Sequence, residues 1–318
     1  MAVYSINRQA QRLCLEAVQQ ADRLRIVAHQ SPCGTTILDF GVDAIGGIGA
    51  GIVLARVCLA DLAEVTLAPC DVSIGPYPLL QVTTDSPVSA CMASQYAGWP
   101  VQRDKFFAMG SGPMRARRGK EHVLEELKVS DQEPAAVGVL ECEQLPSDEV
   151  CEMIAAECRV EPNQLTLCVA PTRSIAGVIQ VVARSIETSL HKLFELGFDL
   201  NQIVSAHGTA PVPPPAKGFA EGIGRTNDAI LYGGRVTLWA RADDDAIEKI
   251  ASQVPSGGSK DWGRPFAETF KDYGYDFYKV DPGLFSPAQI QIHNLKSGRS
   301  WRFGVMRPDV LESSFQVQ

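Results

Sequence analysis

The chain has 318 residues, of which 45% are hydrophobic and 21% charged, with a formal net charge of −8 and a pI near 5.2. These proportions are typical of a globular protein, and the length favours two domains over a single core. The negative charge argues against a protein that binds nucleic acid by neutralising phosphates. No apolar run reaches the roughly 20 residues that a transmembrane helix requires. The N-terminus lacks the pattern of a signal peptide, so a cytoplasmic protein is expected.

The nine cysteines and five histidines do not form a recognisable metal-binding pattern. Cys-x-x-Cys pairs are absent, and the histidines do not follow cysteines at the spacing of zinc sites. Most cysteines lie within apolar segments, which predicts that they are small core residues. We therefore expect neither a metal site nor a metal cofactor.

The first third of the chain alternates helical and extended patterns. Residues 5–24 predict a helix capped by Ser5, and residues 24–29 and 35–40 predict a hairpin. A glycine cluster at residues 46–51 then precedes a helical pattern over residues 52–62 and a strand at residues 64–68. The order strand, glycine turn and helix suggests a dinucleotide site as one alternative. The spacing is Gly-x-Gly-x-Gly, however, and not the Gly-x-Gly-x-x-Gly that places the third glycine where helix and strand pack, which favours a packing turn or a ligand-facing turn.

Residues 105–120 predict a strand that leads into a glycine turn and then a short basic segment. Backbone amides from Gly110 to Gly112, with Arg115 close by, would suit an anionic group of a substrate. An ordinary solvated turn followed by a basic helix is the alternative reading.

The central stretch carries the most specific pattern. Residues 165–170 predict a buried strand, and a turn at Pro171 then leads into a long amphipathic helix capped by Thr172 or Ser174. Arg184 and Glu187 fall within that helix, three residues apart, so their side chains project from neighbouring points of its surface. A guanidinium can hold such a carboxylate ionised and oriented. A solvated salt bridge of little energetic value is the alternative.

The C-terminal third is rich in turns. Residues 208–217 resemble a polyproline connector, and residues 222–235 lead into a strand at 236–240. Asn227 and Asp228 are expected in a polar turn ahead of that strand, where both would be able to line a pocket. His207, which precedes a glycine turn, is expected to be structural.

Six motifs in this order resemble one family. They are Thr-Asp-Ser-Pro-Val at 84–88, Ala-Ser-Gln-Tyr-Ala-Gly-Trp at 93–99, Phe-Ala-Met-Gly-Ser-Gly-Pro at 107–113, Ala-Pro-Thr-Arg-Ser-Ile-Ala-Gly at 170–177, Gly-Arg-Thr-Asn-Asp-Ala-Ile-Leu-Tyr-Gly-Gly at 224–234 and Asp-Phe-Tyr-Lys-Val-Asp-Pro-Gly-Leu-Phe-Ser-Pro at 276–287. Together they are similar to methenyltetrahydromethanopterin cyclohydrolase, from the first helix to beyond Arg299.

The resemblance implies an α/β fold (α+β) of two mixed α/β domains with the active-site pocket between them. It also implies a cytoplasmic homotrimer that acts on a small pterin and needs no cofactor, with no nucleic-acid or membrane partner. We expect residues 1–85 and 205–318 to form the first domain, which is discontinuous. Residues 86–204 are expected to form the second domain, which would carry the catalytic helix.

The activity implied by the resemblance is the reversible hydrolysis of the methenyl bridge to a formyl group. The catalytic arginine and glutamate of the family fall on Arg184 and Glu187. Glu187 would activate water, and Arg184 would orient the Glu187 side chain and tune its pKa. The substrate contacts that we expect come from Ser94, Gln95, Gly110, Ser111, Gly112, Arg115, Gln180, Asn227 and Asp228. A dinucleotide-dependent oxidoreductase and a non-catalytic pterin-binding protein are the alternatives.

Overall fold

The computed structural model of the chain describes residues 5–316. Within that range the backbone forms two six-stranded sheets, each in one of two compact units. Unit 1 comprises the chain up to Ala63 together with Ser89–Gln180, and unit 2 comprises Glu64–Val88 together with the chain from Val181 onward. An α/β protein with two mixed-sheet domains is therefore confirmed.

Unit 1 combines helices with a sheet whose three central strands run parallel. Its elements are α1 (Ile6–Gln19), α2 (Ala21–Leu24), β1 (Val27–Gln30), β2 (Thr36–Asp39), α3 (Ile48–Cys58), a π-helix (Val88–Gln95), β5 (Trp99–Arg103), β6 (Phe106–Ser111), α4 (Met114–Arg118), α5 (His122–Glu126), β7 (Ala136–Glu141), α6 (Asp148–Cys158), β8 (Leu165–Ala170) and α7 (Ile175–Val182). The strand order is β1-β2-β8-β7-β6-β5, with β2, β8 and β7 parallel.

The two faces of this sheet belong to separate cores because side chains alternate along a strand. In β8, Leu165 and Leu167 pack into a core that includes residues of α4 and α6. The adjacent Cys168 packs into a second core that includes residues of α1 and α3. Burial on both faces explains why β8 is continuously apolar in sequence.

Unit 2 contains the second sheet, of order β12-β11-β10-β9-β4-β3. Its elements are β3 (Glu64–Ala68), β4 (Leu79–Thr84), α8 (Ser185–Glu195), β9 (Ile203–Pro211), α9 (Phe219–Leu231), β10 (Arg235–Ala240), α10 (Asp244–Ala251), α11 (Phe266–Asp272), β11 (Gln289–Asn294), β12 (Ser300–Gly304) and α12 (Pro308–Phe315). Helices α8 and α9 contact β9, and α8 also contacts β10.

This division differs from the boundaries expected from the sequence. The N-terminal hairpin β1-β2 joins the sheet of residues 99–170, because β2 pairs in parallel with β8. Helix α8, expected in the domain of residues 86–204, lies instead in unit 2. Pairing between strands more than a hundred residues apart decides the division, and local patterns do not report such pairing.

The glycine cluster at residues 46–51 serves packing within unit 1. Gly46 has a φ of +61°, and a Cβ atom there would lie 2.2 Å from the carbonyl oxygen of Phe40. A Cβ atom at Gly51 would lie 2.6 Å from Cβ of Ile179. The strands before and after the cluster, β2 and β3, belong to different sheets. A dinucleotide fold needs both in one parallel sheet, so the geometry supports the packing turn.

Candidate active site

Arg184 and Glu187 lie where the predicted long helix is interrupted. Helix α7 ends at Val182, α8 begins at Ser185, and Arg184 is the N-cap of α8 with φ −88° and ψ 7°. Glu187 therefore occupies the first turn of α8. A carboxylate at this position interacts favourably with the positive end of the helix dipole.

The two side chains form a sheltered ion pair. Nη1 of Arg184 lies 3.9 Å from Oε2 of Glu187, and the side chains are only 7% and 6% exposed. The solvated salt bridge proposed as an alternative is thus not what the structure contains. Because the surroundings exclude most water, the charge of Arg184 acts on Glu187 with little screening.

Strand β9 sets the position of this first helical turn. A Cβ atom at Gly208 would lie 2.4 Å from Oγ of Ser185 and 2.8 Å from Cγ1 of Ile186, so glycine allows α8 to approach the sheet closely. The neighbouring residue His207 projects from the opposite face of the strand. Its Nδ1 lies 2.9 Å from Oγ1 of Thr83, and burial lowers the pKa of His207 below its ordinary value.

Arg115 does not have the free guanidinium that binding an anionic substrate group would require. The side chain is fully buried in unit 1 and forms an ion pair with Glu121, whose Oε1 is 2.9 Å from Nε of Arg115. Its Nη1 donates to the carbonyl oxygens of Met92 and Ser94 at 3.2 and 3.3 Å. The arginine thus holds the end of the π-helix, and its charge is balanced inside the unit.

The glycine turn beside Arg115 also forms its hydrogen bonds and close contacts within unit 1. The amide of Gly112, which has a φ of +87°, donates to the carbonyl oxygen of Ser94 at 2.9 Å. The hydroxyl of Ser94 donates to the carbonyl oxygen of Cys58 at 2.6 Å. A Cβ atom at Gly110 would lie 3.0 Å from the carbonyl oxygen of Trp99. The expectation of free amides at this turn is corrected for Gly112, because the π-helix accepts its hydrogen bond.

The other predicted substrate contacts of unit 1 are also buried. Gln95 follows Ser94 at the end of the π-helix, Ser111 ends β6, and Gln180 lies in α7. The hydroxyl of Ser111 donates to the carbonyl oxygen of Val139 at 3.4 Å. The structure therefore places these residues in unit 1 and the ion pair of Arg184 in unit 2.

Asn227 and Asp228 lie in helix α9, and the polar turn expected there is wrong. The amide group of Asn227 donates to the carbonyl oxygen of Ile223 at 2.8 Å. Asp228 is fully buried and accepts hydrogen bonds from the Phe266 amide at 2.8 Å and the Ser314 hydroxyl at 2.6 Å. Burial raises its pKa to about 7. Asp228 therefore joins three helices of unit 2.

Sequence reasoning missed two acidic residues at the carboxyl ends of parallel strands in unit 1. The buried carboxylate of Asp39, at the end of β2, accepts the backbone amides of Gly41, Val42, Asp43 and Ala44 at 2.6–2.8 Å. The sequence signal is an aspartate at the end of a strand with a glycine two residues later, which is typical of a turn.

The second missed residue is Glu141, at the end of β7. It accepts a hydrogen bond from the hydroxyl of Thr172, which follows β8. Thr172 therefore does not cap α7. That role belongs to Ser174, whose Oγ accepts from the amide of Gly177 at 3.0 Å. Ligands of parallel α/β sheets bind beyond the carboxyl ends of the strands, so this edge of unit 1 is a suitable place for a polar substrate contact.

Two further properties concern the described part of the chain, residues 5–316. No three histidine, cysteine or acidic side chains in it are grouped as metal ligands. Its helices are too short or too polar to cross a lipid bilayer.

Comparison with known proteins identifies the family. The family model described as Cyclohydrolase (MCH) matches residues 5–315. A methenyltetrahydromethanopterin cyclohydrolase of Rhodopirellula baltica is 55% identical over 287 residues, which cover 89% of this chain and 86% of that protein. A protein of the same name from Methylobacillus flagellatus is 43% identical, over 98% of this chain and 95% of its own length. The homologue from Methanococcoides burtonii is 42% identical over 99% of both chains. The chain therefore belongs to the methenyltetrahydromethanopterin cyclohydrolase family.

Proposed function

We propose that this chain is a cyclohydrolase that reversibly converts 5,10-methenyltetrahydromethanopterin to 5-formyltetrahydromethanopterin in one-carbon metabolism. The family match over residues 5–315 carries the proposal. The sheltered pair of Arg184 and Glu187 supports it, because the reaction needs a positioned base.

The chemistry of the substrate defines what the protein must supply. The methenyl carbon lies between two nitrogens that share a positive charge, so it is already electrophilic. Water must add to this carbon while a base accepts a proton. A proton must then reach the nitrogen that departs when the tetrahedral intermediate opens.

Glu187 is the proposed base. It accepts a proton from water as the carbon–oxygen bond forms. As the carbon–nitrogen bond breaks, Glu187 returns this proton to the departing nitrogen, and the hydroxyl proton of the intermediate is released to solvent. The products are a formyl group on the other nitrogen and one proton. A carboxylate in this position also attracts the cationic substrate.

Arg184 is the proposed positioning partner of Glu187. At 3.9 Å, its Nη1 is close enough to attract the carboxylate but beyond normal hydrogen-bond distance. The neighbouring positive charge favours one orientation of the carboxylate. The start of α8 restrains Glu187 further, because Gly208 allows that turn to pack against β9.

Direct contacts to the pterin from the remaining predicted residues stay a prediction. For Arg115 and Asp228 we propose a supporting role, since both are fully buried and bonded within their own units. The residues that remain candidates for direct contact are Ser94, Gln95, Gly110, Ser111, Gly112, Gln180 and Asn227.

A cytoplasmic homotrimer that works without a cofactor is part of the same proposal. None of the nine cysteines, which all lie within residues 5–316, forms a disulfide bond, and seven of them are buried, which suits a reducing compartment. Gel filtration with light scattering tests the trimer. Activity after dialysis against a chelator tests for a metal requirement, and activity of protein refolded from denaturant without additives tests for an organic cofactor.

The decisive experiment replaces Glu187 by glutamine, which keeps the shape and removes the base. We expect kcat to fall by about 10²–10⁴-fold with a smaller change in KM, measured from the absorbance of the methenyl pterin. The matched control is Glu195→Gln. Glu195 is the last residue of the same helix and its side chain is exposed. Turnover of Glu187→Gln close to that of the control would remove Glu187 from the chemistry.

A further inference from the structure

Unit 1 contains a cavity whose wall is rich in arginine. It has a volume of about 170 Å³, which accommodates several water molecules or one anion the size of phosphate. Arg117, Arg118 and Arg159 contribute to the wall, together with the polar residues Ser130 and Gln132. Such a surface is unexpected on a chain with a net charge of −8.

Arg117 is held by neutral groups, so its charge is not compensated. Its Nη2 donates to the carbonyl oxygen of Arg159 at 3.0 Å, and its Nη1 lies 3.2 Å from Oε1 of Gln132. Its Nε is buried and has no hydrogen-bond partner among residues 5–316. The contacts fix the guanidinium in place and leave its positive charge for a ligand.

Arg118 is fixed by a different set of contacts. Its guanidinium carbon lies 4.4 Å from the ring centre of Trp99, and its Nε donates to Oε2 of Glu157 at 3.0 Å. The same oxygen accepts from Nζ of Lys120 at 2.8 Å. One carboxylate thus faces two cations, and one positive charge remains in excess.

Arg159 supplies the exposed cation of the wall. It follows α6 in the left-handed region, with φ 56°, and its side chain is exposed. Within the described chain, no carboxylate pairs with it. A long exposed side chain at the rim is able to fold over a ligand.

Acidic residues near the cavity do not cancel this charge. Glu125 is the one carboxylate of the wall. Asp131, nearby in sequence, directs its carboxylate to the amide of Asn7 at 2.9 Å. Three arginines, Arg117, Arg118 and Arg159, therefore line the cavity with one carboxylate, Glu125.

We propose that this cavity binds a small phosphate dianion, either inorganic phosphate or the phosphate group of a larger molecule. Fixed guanidinium groups match the geometry of phosphate oxygens and form charge-assisted hydrogen bonds with them. The site lies on unit 1, whereas the Arg184 and Glu187 pair of the proposed hydrolysis lies on unit 2. Binding of phosphate to this cavity is therefore measurable independently of the hydrolysis step.

Titration calorimetry with inorganic phosphate tests the site. The main variant is Arg159→Asn, because asparagine tolerates the left-handed backbone and lacks the charge. We expect it to weaken phosphate binding about tenfold, as the loss of one charge-assisted contact does. Arg159→Lys should restore most of the affinity. Arg23→Asn is the matched control, since Arg23 is an exposed arginine of α2, outside the cavity wall, whose Nη1 donates to Oε1 of Gln20 at 3.1 Å.

The source of the phosphate follows from kinetics on the same variants. A higher KM for the methenyl pterin in Arg159→Asn, with kcat unchanged, identifies the phosphate as part of the substrate. An unchanged KM, with phosphate binding still weakened, identifies a separate ligand. The proposal is overturned if the wild-type protein does not bind millimolar phosphate, or if Arg159→Asn binds it as tightly as Arg23→Asn. None of these binding results depends on catalysis by Glu187.

Discussion

The buried carboxyl group of Asp228 makes a strong prediction about stability and pH. It lies in the last turn of α9 and accepts hydrogen bonds from the Phe266 amide of α11 and the Ser314 hydroxyl of α12. Burial raises its pKa from 3.8 to about 7, and the nearby charge of Glu268 acts in the same direction. The folded state therefore retains the proton to a higher pH than the unfolded chain does.

The sign of the effect follows from proton linkage. For a carboxyl group with a raised pKa in the folded state, stability is lost as the pH rises from the unfolded pKa to the folded one. A rise of the pKa from 3.8 to about 7 lowers the free energy of unfolding above neutral pH by about 4 kcal/mol. About 2–3 kcal/mol of this loss falls between roughly pH 5 and pH 8.

Replacing Asp228 by asparagine removes the ionisation while keeping a side chain of the same shape. The amide oxygen is able to accept from Phe266, and the hydroxyl of Ser314 is able to turn and accept from the amide nitrogen. The stability of Asp228→Asn relative to the wild type should therefore increase by about 2–3 kcal/mol from pH 5 to pH 8. The difference should level off above neutral pH.

Urea unfolding at several pH values, followed by tryptophan fluorescence, measures this difference. Trp239, Trp262 and Trp301 all lie in unit 2, so the signal reports mainly on the unit that contains Asp228. Other titrating groups are common to both proteins and cancel in the comparison. A difference that stays constant with pH, or that shifts in favour of the wild type as the pH rises, would refute the assignment of a neutral buried carboxyl group.

Two further substitutions test how the chain is held together locally. Gly208→Ala should cost about 1–3 kcal/mol in thermal unfolding and also lower kcat, because the new methyl group displaces the first turn of α8. Gly218→Ala, where nothing lies within 4 Å of the added Cβ atom, should be nearly neutral, and equal losses in both variants would contradict the packing argument. Asp39→Asn should cost about 2–3 kcal/mol in urea unfolding, because an amide nitrogen then faces backbone donors. An unchanged unfolding midpoint would show that the four amides do not depend on the carboxylate.

The local elements of this protein follow largely from its sequence. Ser5 caps the first helix, as its position before an amphipathic pattern predicts. The strand at 165–170 has the predicted bounds, because its continuous apolar run is buried on both faces. The spacing of Arg184 and Glu187 also places the two side chains together, since one helical turn determines that distance.

Differences in burial separate the roles of the three arginines that follow the glycine turn. In sequence, Arg115, Arg117 and Arg118 form one basic segment. In the structure, Arg115 is enclosed with Glu121, whereas the other two line a cavity. Neighbouring residues of a helix face different directions, so identical side chains in a short segment acquire different surroundings. Composition does not report those surroundings.

The sequence by itself determined the family, most helix and strand positions and the proposed catalytic pair, because these depend on residue identity and short-range periodicity. Only the tertiary structure decided which segments share a sheet, where the predicted long helix breaks and that Asp228 is a buried junction between helices. These features depend on contacts between segments far apart along the chain. Their energies come from burial and long-range pairing, which no local pattern encodes.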